Sequence, residues 1–175
     1  MIYVTSPLFW SFNLTLVLFA MIFAMMFGKS KGHSKNKTWA YRNAGGEIAF
    51  VFFPFVLYSI AHGLNGSILK FLTTPELPMA AMIVSGIAMF SLVKGAVASK
   101  GKVAPEAFVV LMIAFLAIFM SCAGLVFWLT LEESVSPWFS VANFVVVIFA
   151  VGFSFAVSAA MAHLVKNPEE VGIEP

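Results

Sequence analysis

The chain has 175 residues, 61% of them hydrophobic and only 10% charged, with a formal net charge of +2. Soluble globular domains run at about 45 to 50% apolar and about 25% charged residues. With 20 Phe, 10 Met and a mean hydropathy of +0.98, the chain has too little polar side-chain surface to coat a compact body in water, so lipid is the expected solvent.

A helix crosses about 30 Å of hydrocarbon with about 20 apolar residues. Five runs free of Asp, Glu, Lys and Arg meet that need. The first is Pro7 to Gly28. Its leader carries no basic residue and the positive charges follow the apolar stretch, the reverse of a secretory signal, so it reads as a retained span. Asn13 is its single amide, read as packing between helices.

Next comes a basic segment, residues 29–46, with Lys29, Lys31, Lys35, Lys37, Arg42 and His33 among Ser, Asn and Gly, and with Trp39 and Tyr41 as interfacial aromatics. It reads as a flexible loop that stays inside and contacts anionic headgroups or an acidic cytoplasmic partner.

The second run, Ile48 to Leu69, follows Gly45-Gly46 and Glu47, an acid suited to the positive end of a helix dipole. Pro54 breaks its hydrogen-bond ladder and predicts a kink, so it is the run least certain to cross completely. Beyond the proline, Tyr58, His62 and Asn65 recur at i, i+4 and i+7 and make one polar stripe, which should face protein or water rather than lipid.

The third run is Leu77 to Val93, extendable to Ala98 if Lys94 snorkels, and it carries a small-residue seam of Ser91, Gly95 and Ser99. Lys100 and Lys102 follow it. The stretch from Gly95 to the Gly-Lys pair is one residue too long for a phosphate-binding loop, and no Ser or Thr stands after the lysine.

The fourth run is Ala107 to Leu131, with a seam of Ala114, Ala117, Ser121 and Gly124 and the single cysteine, Cys122, expected to be a small buried apolar residue. The fifth is Ser134 to Val165, with Asn143 as a lone amide and a seam of Gly152, Ala156 and Ala160. All three seams predict helix-contact faces. Ser-Pro, Thr-Pro or Ala-Pro pairs precede four of the runs, at Pro7, Pro75, Pro105 and Pro137, as proline does at a first helical position, and three of them offer a hydroxyl N-cap. The acidic tail after Pro168 carries Glu169, Glu170 and Glu174.

Of the ten basic residues, nine fall in the first loop, around the third run's end and in the tail, while Lys70 alone lies across the membrane. That bias predicts an all-α, polytopic membrane bundle of five spans, or four if one run does not cross, with its N-terminus outside and its C-terminus in the cytoplasm. The expected residence is a bacterial inner membrane. Glu47, Lys94 and Glu106 fall at similar depths, where an ion pair could latch three helices together.

Chemistry is sparse. The chain contains no aspartate, and no two carboxylates share a span. His62 and His163 lie towards opposite leaflets, unsuited to sharing a haem. Ser154 and His163 fall on opposite sides of one helix, unsuited to nucleophilic catalysis. Neither an enzyme activity nor a cofactor nor a metal is expected, and nucleic acid is not an expected partner.

The sequence instead points to a self-associating, non-enzymatic membrane subunit that contacts lipids and docks or signals to a cytoplasmic protein through its basic segments. In size and topology alone, with no motif to carry the likeness, it resembles the small polytopic components of bacterial multi-gene systems, anti-phage defence assemblies of the Kiwa type among them. Two further readings fit the same pattern: an oligomeric channel lined by the second run, and an immunity or exclusion factor that recognises another membrane protein.

Overall fold

A computed structural model describes residues 9, 13, 16, 35–66, 73–99, 104–132 and 137–167. Four helices account for most of them: α1, Lys35–Leu64; α2, Glu76–Ala98; α3, Pro105–Leu131; and α4, Pro137–Lys166. At 1.5 Å per residue they extend about 45, 35, 40 and 45 Å. All four are long and apolar enough to cross a membrane. The run from Pro7 to Gly28 lies outside the described residues except for Phe9, Asn13 and Leu16, which are helical; Asn13 Nδ2 donates to the Phe9 carbonyl at 2.8 Å.

Helix α1 begins thirteen residues before the expected start of its run at Ile48, so Lys35 to Gly46 is helix and not loop. The reason is a face that runs straight through Gly45-Gly46. Ala40, Ala44, Ile48 and Phe52 recur every four residues, and all four are buried. Continuous packing outweighs the cost of two glycines, about 1 kcal/mol each in a helix interior. The helix also continues through Pro54. It ends at Leu64, where Asn65 N–H bonds to the Ala61 carbonyl at 3.2 Å and Gly66 takes a φ of 64°, a left-handed terminus that glycine adopts without a Cβ clash.

Proline opens α3 and α4 at their first residues, as expected. At α2 it does not: Pro75 occupies the N-cap itself, no side chain caps the helix, and Met79 N–H bonds to the Pro75 carbonyl at 3.0 Å. The helix then runs to Ala98, the longer of the two expected extents.

The four helices alternate in direction. Helices α2 and α4 run parallel and form the central pair, with α3 packed on α2 and α1 packed on α4. Leu77, Ala81, Val84, Ala88, Leu92 and Gly95 form the inner face of α2, and Asn143, Val147, Ala150, Ser154, Val157 and Met161 that of α4. Both rows step by three and four residues. In lipid, apolar burial alone does not drive helix pairing, so these faces hold through close contacts worth about 0.1 to 0.2 kcal/mol each, which small side chains multiply.

Gly95 is the tightest point. A Cβ there would fall 2.9 Å from Met161 Cβ and would also strike Met161 Sδ. Along the Ser91, Gly95 and Ser99 seam, Gly95 meets Met161 of α4, with Gly95 and Ser99 buried and Ser91 half-buried. Along α3, the buried face is Phe115, Cys122 and Leu129, while Ala117, Ser121 and Gly124 of the predicted seam are exposed. The bulky side chains of α3 do the packing, with the Phe115 ring 4.9 Å from that of Phe153 on α4. Cys122 lies in the core beside Ala80, Ala81 and Val84, as expected of a small buried residue.

Three hydroxyls within the helices turn back onto their own backbone. Ser85 Oγ donates to the Ala81 carbonyl at 2.9 Å, Ser121 Oγ to Ala117 at 2.8 Å and Thr130 Oγ1 to Val126 at 2.7 Å. Each hydroxyl is thereby satisfied without a partner helix, as an apolar solvent requires.

Candidate functional site

The alternation of helix direction brings the start of α1, the end of α2, the start of α3 and the end of α4 to one end of the bundle. Every described Lys or Arg lies towards that end: Lys35, Lys37, Arg42, Lys94 and Lys166. Glu76 and Glu132 lie at the opposite end. Lys29, Lys31, Lys100 and Lys102 fall outside the described residues, as do Lys70, His33 and the acidic tail.

Helices α1 and α4 are clasped at the basic end. Lys166 Nζ stands 3.9 Å from the centroid of the Trp39 ring. Asn36 Nδ2 donates to Asn167 Oδ1 at 2.6 Å, and Asn167 Nδ2 lies 3.2 Å from His163 Nε2. One turn deeper the rings of Tyr41 and Phe155 are 5.9 Å apart.

Between these contacts the two helices stand apart. A crevice of about 320 Å³ is walled by Lys37, Ala40 and Tyr41 of α1 and by Ala156, Ala159, Ala160, His163 and Leu164 of α4. This revises the third predicted seam. Ala156 and Ala160 are exposed along the crevice, and nothing lies within 4 Å of a Cβ built on Gly152, so this row opens a gap where a tight helix contact was expected. On the other side of α1, Lys35, Thr38, Trp39 and Arg42 surround a second hollow of about 310 Å³. Their i, i+3, i+4 and i+7 spacing puts them on one face. The first turns of α1 thus divide their charges, with Lys37 turned to α4 and Lys35 and Arg42 turned away.

Tyr58, His62 and Asn65 lie on the outer surface of α1 and do not face a neighbouring helix as expected: Tyr58 is 46% exposed, Asn65 exposed and His62 half-buried. Tyr58 and His62 do meet, ring edge to face at 4.5 Å. His62 and His163 sit at opposite ends of the bundle, as their positions predict.

No ion pair joins Glu47, Lys94 and Glu106 among the described residues. Glu47 instead accepts from Asn43 Nδ2 on its own helix at 3.1 Å, and Lys94 and Glu106 are exposed. The latch expected from their shared depth does not form, because equal depth leaves the rotation of each helix free to turn its charge away from the others.

Asn143 departs furthest from its sequence reading. It is 1% exposed, and neither its Oδ1 nor its Nδ2 has a hydrogen-bond partner among the described residues; the Ser154 hydroxyl is buried and unpartnered in the same way. Counting back equal lengths from Gly95 and Met161 brings Leu77 and Asn143 level, beside Glu76, whose Oε2 is also buried without a partner.

Taken as a loop, residues 35–46 give no sign of the crevice. Its signal was present as a run of alanines on α4 spaced to face a basic turn of α1, visible only once 35–46 is taken as helix. Comparison with protein-family models, curated proteins and solved structures finds nothing that matches this chain.

Proposed function

We propose that the protein is a membrane-embedded subunit that anchors a cytoplasmic protein through its basic end and associates with copies of itself. The observation that carries this reading is the gathering of all five described Lys and Arg residues at one end of four helices long enough to cross a membrane. Positive charge is retained on the cytoplasmic side during insertion, so the basic end is the inner one. On this reading the described bundle has an even number of crossings, the run from Pro7 to Gly28 adds a fifth, and the N-terminus lies outside while the C-terminus lies in the cytoplasm. A bacterial inner membrane, and a place in a multi-gene assembly such as an anti-phage defence system, belong to the same proposal and rest on size and topology alone.

The docking face is the outward side of the first turns of α1. Lys35, Thr38 and Arg42 present two cations beside the Trp39 ring, which Lys166 of α4 also meets, around one hollow suited to an acidic segment of a soluble partner. Self-association falls to the outward seam of α3. Ala117, Ser121 and Gly124 give a flat strip on which a second helix can approach closely.

The test is a comparison of the soluble proteins that co-purify with the wild type and with Lys35→Gln/Arg42→Gln, both extracted in mild detergent at moderate salt. Loss of a specific partner from the variant, with unchanged membrane integration, is the expected result. Equal recovery from both would reject docking through this face.

A further inference from the structure

We infer that the crevice between α1 and α4 at the basic end is a seat for one anionic phospholipid. The inference rests on the reading of the four helices as membrane-crossing, and it concerns a different face of α1 from the one proposed to dock a protein.

The crevice is graded in the way a lipid is graded. The pairs Asn36 with Asn167 and Tyr41 with Phe155 bracket Lys37 and His163, which therefore lie at one level across the mouth. Inward from that level the wall is Ala40, Ala159, Ala160 and Ala156. From His163 to Ala156 is about 10 Å along the helix, a path from headgroup depth into acyl-chain depth. Four alanines in place of larger side chains create the gap.

The polar groups suit a phosphate. Lys37 supplies an ammonium with three donors, and the Tyr41 hydroxyl and the His163 ring supply further hydrogen-bonding groups. The Asn36–Asn167–His163 chain fixes the orientation of the histidine ring. Trp39 and Tyr41 mark the level as interfacial, where such aromatics sit by preference.

Volume restricts the occupant. About 320 Å³ is at the low end of the range of about 300 to 1,000 Å³ found for ligand pockets, so the crevice takes a phosphate and the upper part of a chain while the rest of the lipid stays in the bilayer. Basic pockets between transmembrane helices on the cytoplasmic side are where anionic headgroups are held. A zwitterionic lipid offers the same chain but gains less from Lys37, because its own cation competes for the phosphate.

The full-length protein, purified in a neutral detergent, tests this with phosphatidylglycerol and phosphatidylcholine of matched chains. The readouts are native mass spectrometry and thermal unfolding. The wild type is expected to retain one phosphatidylglycerol per chain and to unfold several degrees higher with phosphatidylglycerol than with phosphatidylcholine. Lys37→Gln should remove that difference, Lys37→Arg should keep it, and Lys35→Gln, on the other face, should leave it intact. Ala160→Trp should block the crevice and abolish retention without altering charge.

Equal stabilisation by the two lipids would overturn the assignment, as would equal losses from Lys35→Gln and Lys37→Gln. So would an Ala160→Trp variant that changes the oligomeric mass but keeps its lipid, since a second chain would then be the occupant. Failure of the membrane reading itself shows separately, as release of the protein from membranes by alkaline carbonate.

Discussion

The ammonium of Lys166 lies over the face of Trp39, joining the last residue of α4 to the second turn of α1 across 127 positions of sequence. A cation over an indole face at an exposed site contributes about 0.5 to 1 kcal/mol. Lys166→Gln should therefore lower stability in detergent by about that amount, with Lys166→Arg close to wild type, because a guanidinium stacks on the same ring. Thermal unfolding of the three proteins side by side checks it; a Gln variant as stable as the wild type would remove the contact from the list of forces holding α1 to α4.

Gly95 sets the approach of α2 to α4. Gly95→Ala should cost about 1 to 3 kcal/mol, the usual range for overpacking, since the added carbon meets Met161. Met161→Ala removes the Sδ and Cγ contacts and leaves only the approach to its Cβ, so the double variant should be more stable than the sum of the single effects implies. Additive losses would mean that the two helices do not meet there.

Asn143 should be replaceable by Leu at no cost. A buried amide without a partner forfeits about 1 to 3 kcal/mol, so Asn143→Leu is expected to raise the unfolding midpoint. A sharp fall instead would reveal a partner for this amide that the single chain does not supply, and with it a role for the level shared by Asn143, Leu77 and Glu76.

The architecture was legible wherever a pattern had the right period and nothing interrupted it. The runs at 77–93, 107–131 and 134–165 became helices with boundaries close to those expected, and the proline starts at Pro105 and Pro137 held. The basic segment was misread because Gly45-Gly46 is a strong local breaker, whereas the buried face of Ala40, Ala44, Ile48 and Phe52 depends on α4, a hundred residues away. Small-residue seams were readable as patterns but not as contacts. Spacing identifies a face, yet only the rotation of the neighbouring helix decides whether that face is packed, as at Gly95, or left open, as at Ser121 and Ala160. The crevice depends on two helices at once, so no local pattern announces it.

Self-association through α3 makes a prediction about cysteines. Cys122 is buried and should form no intermolecular disulfide. Ser121→Cys in a Cys122→Ala background places a thiol on the outward seam, and mild oxidation of membranes should then give a crosslinked dimer on a non-reducing gel. A monomer alone would move any contact between copies to another face.

The most direct measurement is the labelling of single cysteines, in a Cys122→Ala background, with a membrane-impermeant maleimide on intact and permeabilised cells. Cysteines at Asn65 and Glu132 should react in intact cells, and those at Lys35 and Lys166 only after permeabilisation. Equal reactivity of Lys35 and Asn65 positions from one side would contradict a membrane-crossing α1 whose basic end is cytoplasmic.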